Sequence, residues 1–164
     1  MNTLHTILHT VTIGLGATGV MDLWLQILKH FNVPTLNFAF IGRWVGHCLR
    51  GRFVHAAIGK ASPVQHELAL GWFTHYATGA LFAGLLLAMV GTDWLLAPTA
   101  TPALLVGLAT VVFPFFVMQP AMGLGVASAR TPAPFKNRLR SLINHAVFGA
   151  GLYIAAFSVN LLVH

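Results

Sequence analysis

Four long apolar runs divide the chain, at about residues 4–28, 68–90, 103–127 and 142–163. Each is near the ~20 residues that carry an α-helix across the hydrocarbon core of a bilayer. Helices are the open choice, because an isolated apolar strand would leave its backbone groups unsatisfied in lipid. Pro114 and Pro120 fall inside the third run. Proline is tolerated in a membrane helix whose neighbours re-satisfy the freed carbonyls, so this run predicts one kinked helix rather than a loop. The pattern predicts an all-α polytopic membrane protein with four transmembrane helices in a small bundle, one membrane domain over residues 1–164.

The connection between the first and second runs, 31–67, is long and has a pattern of its own. Asn32-Val33-Pro34 reads as a turn. Beyond it, Arg43, His47 and Arg50 recur at i, i+4, i+7, with Ile41, Trp44, Val45, Cys48 and Leu49 on the other side. This predicts a short interfacial amphipathic helix in the headgroup layer, with Trp44 at the interface. The alternative is an ordinary cytosolic helix packed under the bundle. The connection at 92–102 is short and rich in Pro and Thr. No internal repeat is visible, so an inverted-repeat transporter is not signalled.

Charge turns the run pattern into a topology. Lys29, Arg43, Arg50, Arg52 and Lys60 lie between the first run and the second, and Arg130, Lys136, Arg138 and Arg140 between the third and the fourth. These are all nine basic residues of the chain. Cytoplasmic loops carry the Lys/Arg excess of a membrane protein. Both basic connections are therefore expected in the cytoplasm and both termini outside it. The long 31–67 segment becomes the first cytoplasmic connection, and its amphipathic helix a cytoplasmic-leaflet element.

Composition narrows the class. The chain is 57% hydrophobic and 7% charged, where a soluble domain is about 25% charged. The formal net charge of +6 raises nucleic acid as a partner, but topology accounts for the same charges, and no nucleic acid is expected. One cysteine, Cys48, allows neither an internal disulfide nor a cysteine-only metal cage. No cleavable signal peptide is expected: the N-terminus lacks a basic n-region, and the first apolar run is too long for an h-region.

Several motifs invite chemistry and do not sustain it. Gly14-Leu-Gly16-Ala-Thr-Gly19 is a literal G-x-G-x-x-G, but a dinucleotide fingerprint needs a strand before it. Inside a membrane helix such glycines serve close helix approach. His5 and His9 are spaced H-x-x-x-H with no third ligand in reach. Met21, Met118 and Met122 fall near one depth and raise Cu(I), yet methionine is more often apolar filler. Basic neighbours favour a reactive Cys48 thiolate, but a lone interfacial cysteine is usually inert. No nucleophile, base and orienter stand together, and the reading leans away from an enzyme.

A layer of polar side chains is the stronger signal. Asp22, His75, Gln119, Asn144 and His145 all fall inside the apolar runs, roughly 8–16 Å below the cytoplasmic boundary at 1.5 Å per residue. Gly14, Thr18, Asp22 and Gln26 form an i, i+4 stripe. So do Gly71, His75 and Gly79, and Ser141, His145, Gly149 and Tyr153. Stripes of small and polar residues face protein rather than lipid. The expectation is that Asp22, His75 and His145 converge, within direct or one-water contact. Asp22, His75 and His145 also match the ligand chemistry of a divalent metal. Hydrogen-bonded glue that only holds the helices together is the alternative.

Gly16-Ala-Thr-Gly-Val-Met-Asp22-Leu-Trp24 resembles the opening of an uncharacterised bacterial membrane family, domain of unknown function 2938. So do Pro34-Thr-Leu-Asn37, Gly42-Arg-Trp-Val-Gly-His47, Gly51-Arg-Phe and Leu70-Gly-Trp-Phe-Thr-His75-Tyr. The same holds for Pro114-Phe-Phe-Val-Met-Gln-Pro-Ala-Met-Gly123, Ala129-Arg-Thr-Pro132 and Arg138-Leu-Arg-Ser-Leu-Ile-Asn-His145. The resemblance covers nearly the whole chain. It implies a small multi-pass protein of a bacterial inner membrane and implies no reaction.

Three function classes follow. The first handles a proton, small ion or small molecule through the Asp/His/Gln layer. The second is a non-catalytic membrane subunit or assembly factor whose polar layer only holds the helices. The third is a membrane-embedded enzyme at the cytoplasmic leaflet, with Arg43, Arg50, Arg138 and Arg140 holding a lipid headgroup or other anionic substrate. The lipid bilayer is the expected partner, and four short helices suit a homodimer or a second membrane protein beside it.

Overall fold

The computed structural model describes residues 2–163. Among the described residues there are helices, short 3-10 turns and loops, and no strand. Helix α1 spans Thr3–His30, and its N-terminus is capped by Asn2, whose side chain accepts the His5 N–H at 2.9 Å. That satisfies one of the donors a helix start leaves open. Helix α2 spans Phe38–Cys48, with Asn37 accepting the Ala39 N–H at 3.0 Å. Helix α3 spans Glu67–Val90 and opens on an acid, at the positive end of its dipole. Then come α4 (Ala100–Ala109), a π-helical turn (Pro114–Met118), α5 (Gln119–Ala121) and α6 (Pro134–Val163).

Four of these segments are long and apolar enough to cross a membrane: Thr3–His30, Glu67–Val90, Ala100–Ala121 and Pro134–Leu162. Their apolar faces are left uncovered by protein, with Leu23, Phe73, Leu81, Leu105 and Leu161 among the most exposed side chains.

Two boundaries differ from the hydropathy pattern, and each has a local cause. The third segment was expected to run to 127 and ends at Ala121. Gly123 takes φ 90°, the Leu124 N–H bonds Gln119 C=O at 2.9 Å, and the Gly123 N–H bonds Pro120 C=O at 3.0 Å. This is a glycine-terminated helix end that apolar residues beyond it cannot override. The expected kink is a widened turn: the Gln119 N–H reaches the carbonyl of Pro114, five residues back. The last helix begins at Pro134 rather than 142, because proline suits the first helical position. Lys136, Arg138 and Arg140 therefore stand on the opening turns of α6 rather than in a loop.

The chain divides into two compact units. The first comprises Met1–Thr35, Tyr76–Thr110 and Ile143–His164. Its core includes Ile13, Ala17, Leu86, Ala103, Phe148 and Leu152. Glycine makes its helix crossings close. A Cβ on Gly14 would overlap the backbone of Ala80, one on Gly79 the Thr18 hydroxyl, and one on Gly107 the backbone of Gly149. Gly16 faces the Ala155 methyl. Gly14 and Gly16 of the G-x-G-x-x-G string thus serve contact between helices, whereas Gly19 meets nothing within 4 Å.

The second unit comprises Leu36–His75 and Val111–Leu142. Here Gly42 of α2 packs on the backbone of Glu67, and Gly71 of α3 on the carbonyl of Phe38. The 49–66 loop is tied to the end of α5. The His55 N–H bonds Ala121 C=O at 2.8 Å, and the Ile58 N–H bonds Met122 C=O at 3.0 Å.

Candidate functional site

Within the first unit, the predicted polar residues are held in pairs between helices. The Asp22 carboxylate on α1 accepts the Tyr76 hydroxyl of α3 at 2.7 Å. Two residues along α1, Trp24 Nε1–H donates to Asn144 Oδ1 of α6 at 3.0 Å. His145 Nδ1 lies 2.8 Å from the Thr110 hydroxyl, which also sits 2.6 Å from the Gly107 carbonyl. A hydroxyl has one proton to give. The shorter contact takes it, so Thr110 accepts from His145 Nδ1–H. Thr18, 1% exposed, returns its hydroxyl to Gly14 C=O at 2.8 Å.

The other two predicted residues belong to the second unit. His75 packs its ring against Phe38 and Trp72, with centroids 4.6 Å and 5.9 Å away. Gln119 is buried and accepts the Ser128 hydroxyl at 3.0 Å. Among the described residues, no group of three or more His, Cys, Asp or Glu side chains is placed to hold a metal ion.

The basic residues divide sharply. Arg43 is turned into the protein, 9% exposed. Its Nε and one terminal nitrogen donate to the two Glu67 oxygens at 2.8 Å and 2.7 Å. The other terminal nitrogen reaches the carbonyls of Ile58, Gly59 and Ala61. The bond to Glu67 holds the guanidinium still more firmly protonated than usual. Arg50 is exposed and Arg140 half-buried, while Arg138 is exposed with its Nε–H on Ala127 C=O at 2.8 Å.

Beside Arg43, His47 is also buried, its Nε2 3.0 Å from Ser62 C=O and its ring 4.9 Å from that of His55. His55 is 6% exposed, and neither ring nitrogen has a hydrogen-bond partner. Burial, then His47 and Arg52, lower its pKa and keep it neutral. Burial also pushes the Cys48 thiol up, away from reactivity.

Reading the sequence missed Tyr76, Thr110, Ser128, the Glu67 clamp and the buried His55. Tyr76 follows His75 directly, but nothing in spacing joins it to an acid 54 positions earlier. Glu67, the acid in the first turn of α3, is the one sequence signal near the clamp.

The family model described as Protein of unknown function (DUF2938) matches residues 11–159. The chain belongs to this family. The match takes in Asp22, Arg43, Glu67, Tyr76, Gln119 and His145, so both the interhelical pairs and the Arg43 clamp lie within the DUF2938 domain. No curated protein and no solved structure matches the chain.

Proposed function

We propose that this DUF2938 protein is a four-span protein of a bacterial inner membrane that handles protons or another small ion at Asp22. The observation that carries this is the Asp22–Tyr76 bond between two candidate spans. An ionisable group inside a bilayer is costly and marks function more often than not. A carboxyl accepts the tyrosine proton whether it is ionised or protonated. Asp22 can therefore gain and lose a proton without releasing α3 from α1. The nine Lys and Arg residues orient the protein with both termini outside the cytoplasm.

A second reading rests on a different observation. Trp24–Asn144 and His145–Thr110 pair polar side chains from different helical segments. Satisfied pairs of this kind hold helices together without chemistry, as in a non-catalytic subunit. Flux separates the two. Reconstituted in vesicles with an internal pH indicator, the protein carries an ion-coupled pH change that Asp22→Asn abolishes and Tyr76→Phe reduces. No flux through the parent protein, or equal flux through folded Asp22→Asn, overturns the proposal and leaves the subunit reading.

A further inference from the structure

We infer that the end of α2 and the turn after it form a lipid-inserting tip, seated in an anionic leaflet beside the start of α3. The inference rests on the membrane reading above but not on the Asp22 chemistry.

The first observation is which way α2 faces. In a helix on a soluble protein the apolar side packs inward and the charged side meets water. Here the charged residues of α2 lie inside, on the same buried face as Phe38 and Ile41 (9% and 6% exposed). Arg43 and His47 are buried against Glu67, Ser62 and His55. Trp44, Val45 and Cys48 are half-exposed, and Leu49 is 79% exposed. With the charges of this helix inside, the uncovered side left by Trp44, Val45 and Leu49 is apolar and suits an apolar solvent.

The second observation is the shape of the tip. Gly51 takes φ 77°, the Arg52 N–H bonds His47 C=O at 3.0 Å, and the Gly51 N–H bonds Cys48 C=O at 2.9 Å. This closes α2 with a glycine-terminated motif and fixes the turn. Trp44 Nε1–H then donates to Phe53 C=O at 2.9 Å, tying the returning strand of chain to the helix. The tip so held shows Leu49, Phe53 (62% exposed) and Val54 (73% exposed). Arg50 and Arg52, both exposed, stand between them. Apolar side chains for the acyl region, interleaved with arginines for phosphate, suit an anionic leaflet.

The third observation sets the depth. Gly42 of α2 packs on the backbone of Glu67, where α3 begins, and Arg43 grips the Glu67 carboxylate. Helix α2 is therefore fixed at the end of a candidate span, the level of the headgroups.

The test uses the full-length protein in lipid nanodiscs, in a Cys48→Ser background. Single cysteines at Leu49, Phe53, Ala57 and Leu81 carry a spin label, read for collision with oxygen and with a water-soluble nickel reagent. Labels at Leu49→Cys and Phe53→Cys are expected in the acyl region, like Leu81→Cys in mid-α3, with Ala57→Cys in water. Arg50→Gln with Arg52→Gln should lower retention of phosphatidylglycerol over phosphatidylcholine by up to about thirtyfold, at about 1 kcal/mol per arginine. Wet labels at Leu49 and Phe53 beside a dry Leu81 overturn the inference alone. A wet Leu81 label overturns the membrane reading, and the inference with it. Shielding of Phe53 only when two copies share a disc assigns the face to a second copy and overturns the lipid. Unchanged lipid retention in the double variant overturns the anionic preference.

Discussion

Arg43 grips Glu67 with two parallel hydrogen bonds, at 2.8 Å and 2.7 Å, across the contact between α2 and α3. Both side chains are largely withdrawn from solvent, at 11% and 18% exposure. Glu67 also accepts the Val64 N–H at 3.0 Å, so the carboxylate organises the approach to α3 as well. A residue that reads as a headgroup ligand thus holds the fold around the 49–66 loop.

Breaking this pair should cost more than a surface ion pair does. Removing one partner leaves the other buried and uncompensated, a loss of about 3 kcal/mol. Arg43→Ala and Glu67→Gln are each expected to lower the thermal midpoint in detergent by several degrees. Arg43→Lys should recover little, because an ammonium cannot make the two-point bond. Arg43→Met combined with Glu67→Leu should recover much of the loss, since no charge is left unpaired. Additive losses in that double variant would show that the pair is not coupled.

His55 predicts a pH dependence of one sign. Its folded-state pKa is lowered by burial, by His47 and by Arg52. No titratable side chain comes from the Ala121–Gly123 turn packed against it. Above the unfolded value, about 6.5, both states are neutral and nothing is lost. As pH falls below that value, the unfolded chain takes up a proton that the folded chain refuses, and stability declines. Amide exchange in the 53–61 loop should therefore be faster at pH 5.5 than the intrinsic rate predicts from its behaviour at pH 7.5. His55→Phe should flatten the difference. An equally steep dependence in His55→Phe would assign it to another histidine.

Glycine contacts give a prediction with an internal control. A Cβ at Gly107 would overlap the Gly149 backbone, and one at Gly19 meets nothing within 4 Å. Gly107→Ala should cost about 1–3 kcal/mol by forcing α4 from α6. Gly19→Ala should be neutral or slightly stabilising, as alanine is the better helix former. Equal effects of the two on unfolding would remove close approach as the reason for the glycine at 107.

Hydropathy was enough to find four membrane-length segments, because each apolar run is long and nearly free of charge. It failed at Ala121, where apolar residues continue to 127 but Gly123 and Gly125 turn the backbone. It also missed Pro134, a start signal placed inside a basic stretch. The α2 pattern separated Arg43 and His47 from Trp44 and Val45 but misplaced Ile41, which is buried with Arg43, and Arg50, which is exposed with Leu49; periodicity does not say which side meets protein. The candidate site was read as a set of polar residues inside the apolar segments. Its pairs were not, since Asp22 with Tyr76 and Thr110 with His145 join different helices at spacings no local rule predicts.

Orientation is the last prediction, and the fold sharpens it. Lys136, Arg138 and Arg140 stand on the opening turns of α6, next to its apolar stretch, where charge acts most strongly on insertion. A reporter active only in the cytoplasm, fused after His164, should be silent. One fused within 60–66 should be active. Replacing Lys136, Arg138 and Arg140 by Gln should weaken the bias around α6, leaving Arg130 as the one basic residue of that connection. The silent fusion should then gain partial activity, while the fusion within 60–66 stays active under the five basic residues from Lys29 to Lys60. A C-terminal fusion active in the parent chain would reverse the orientation and leave the four spans in place.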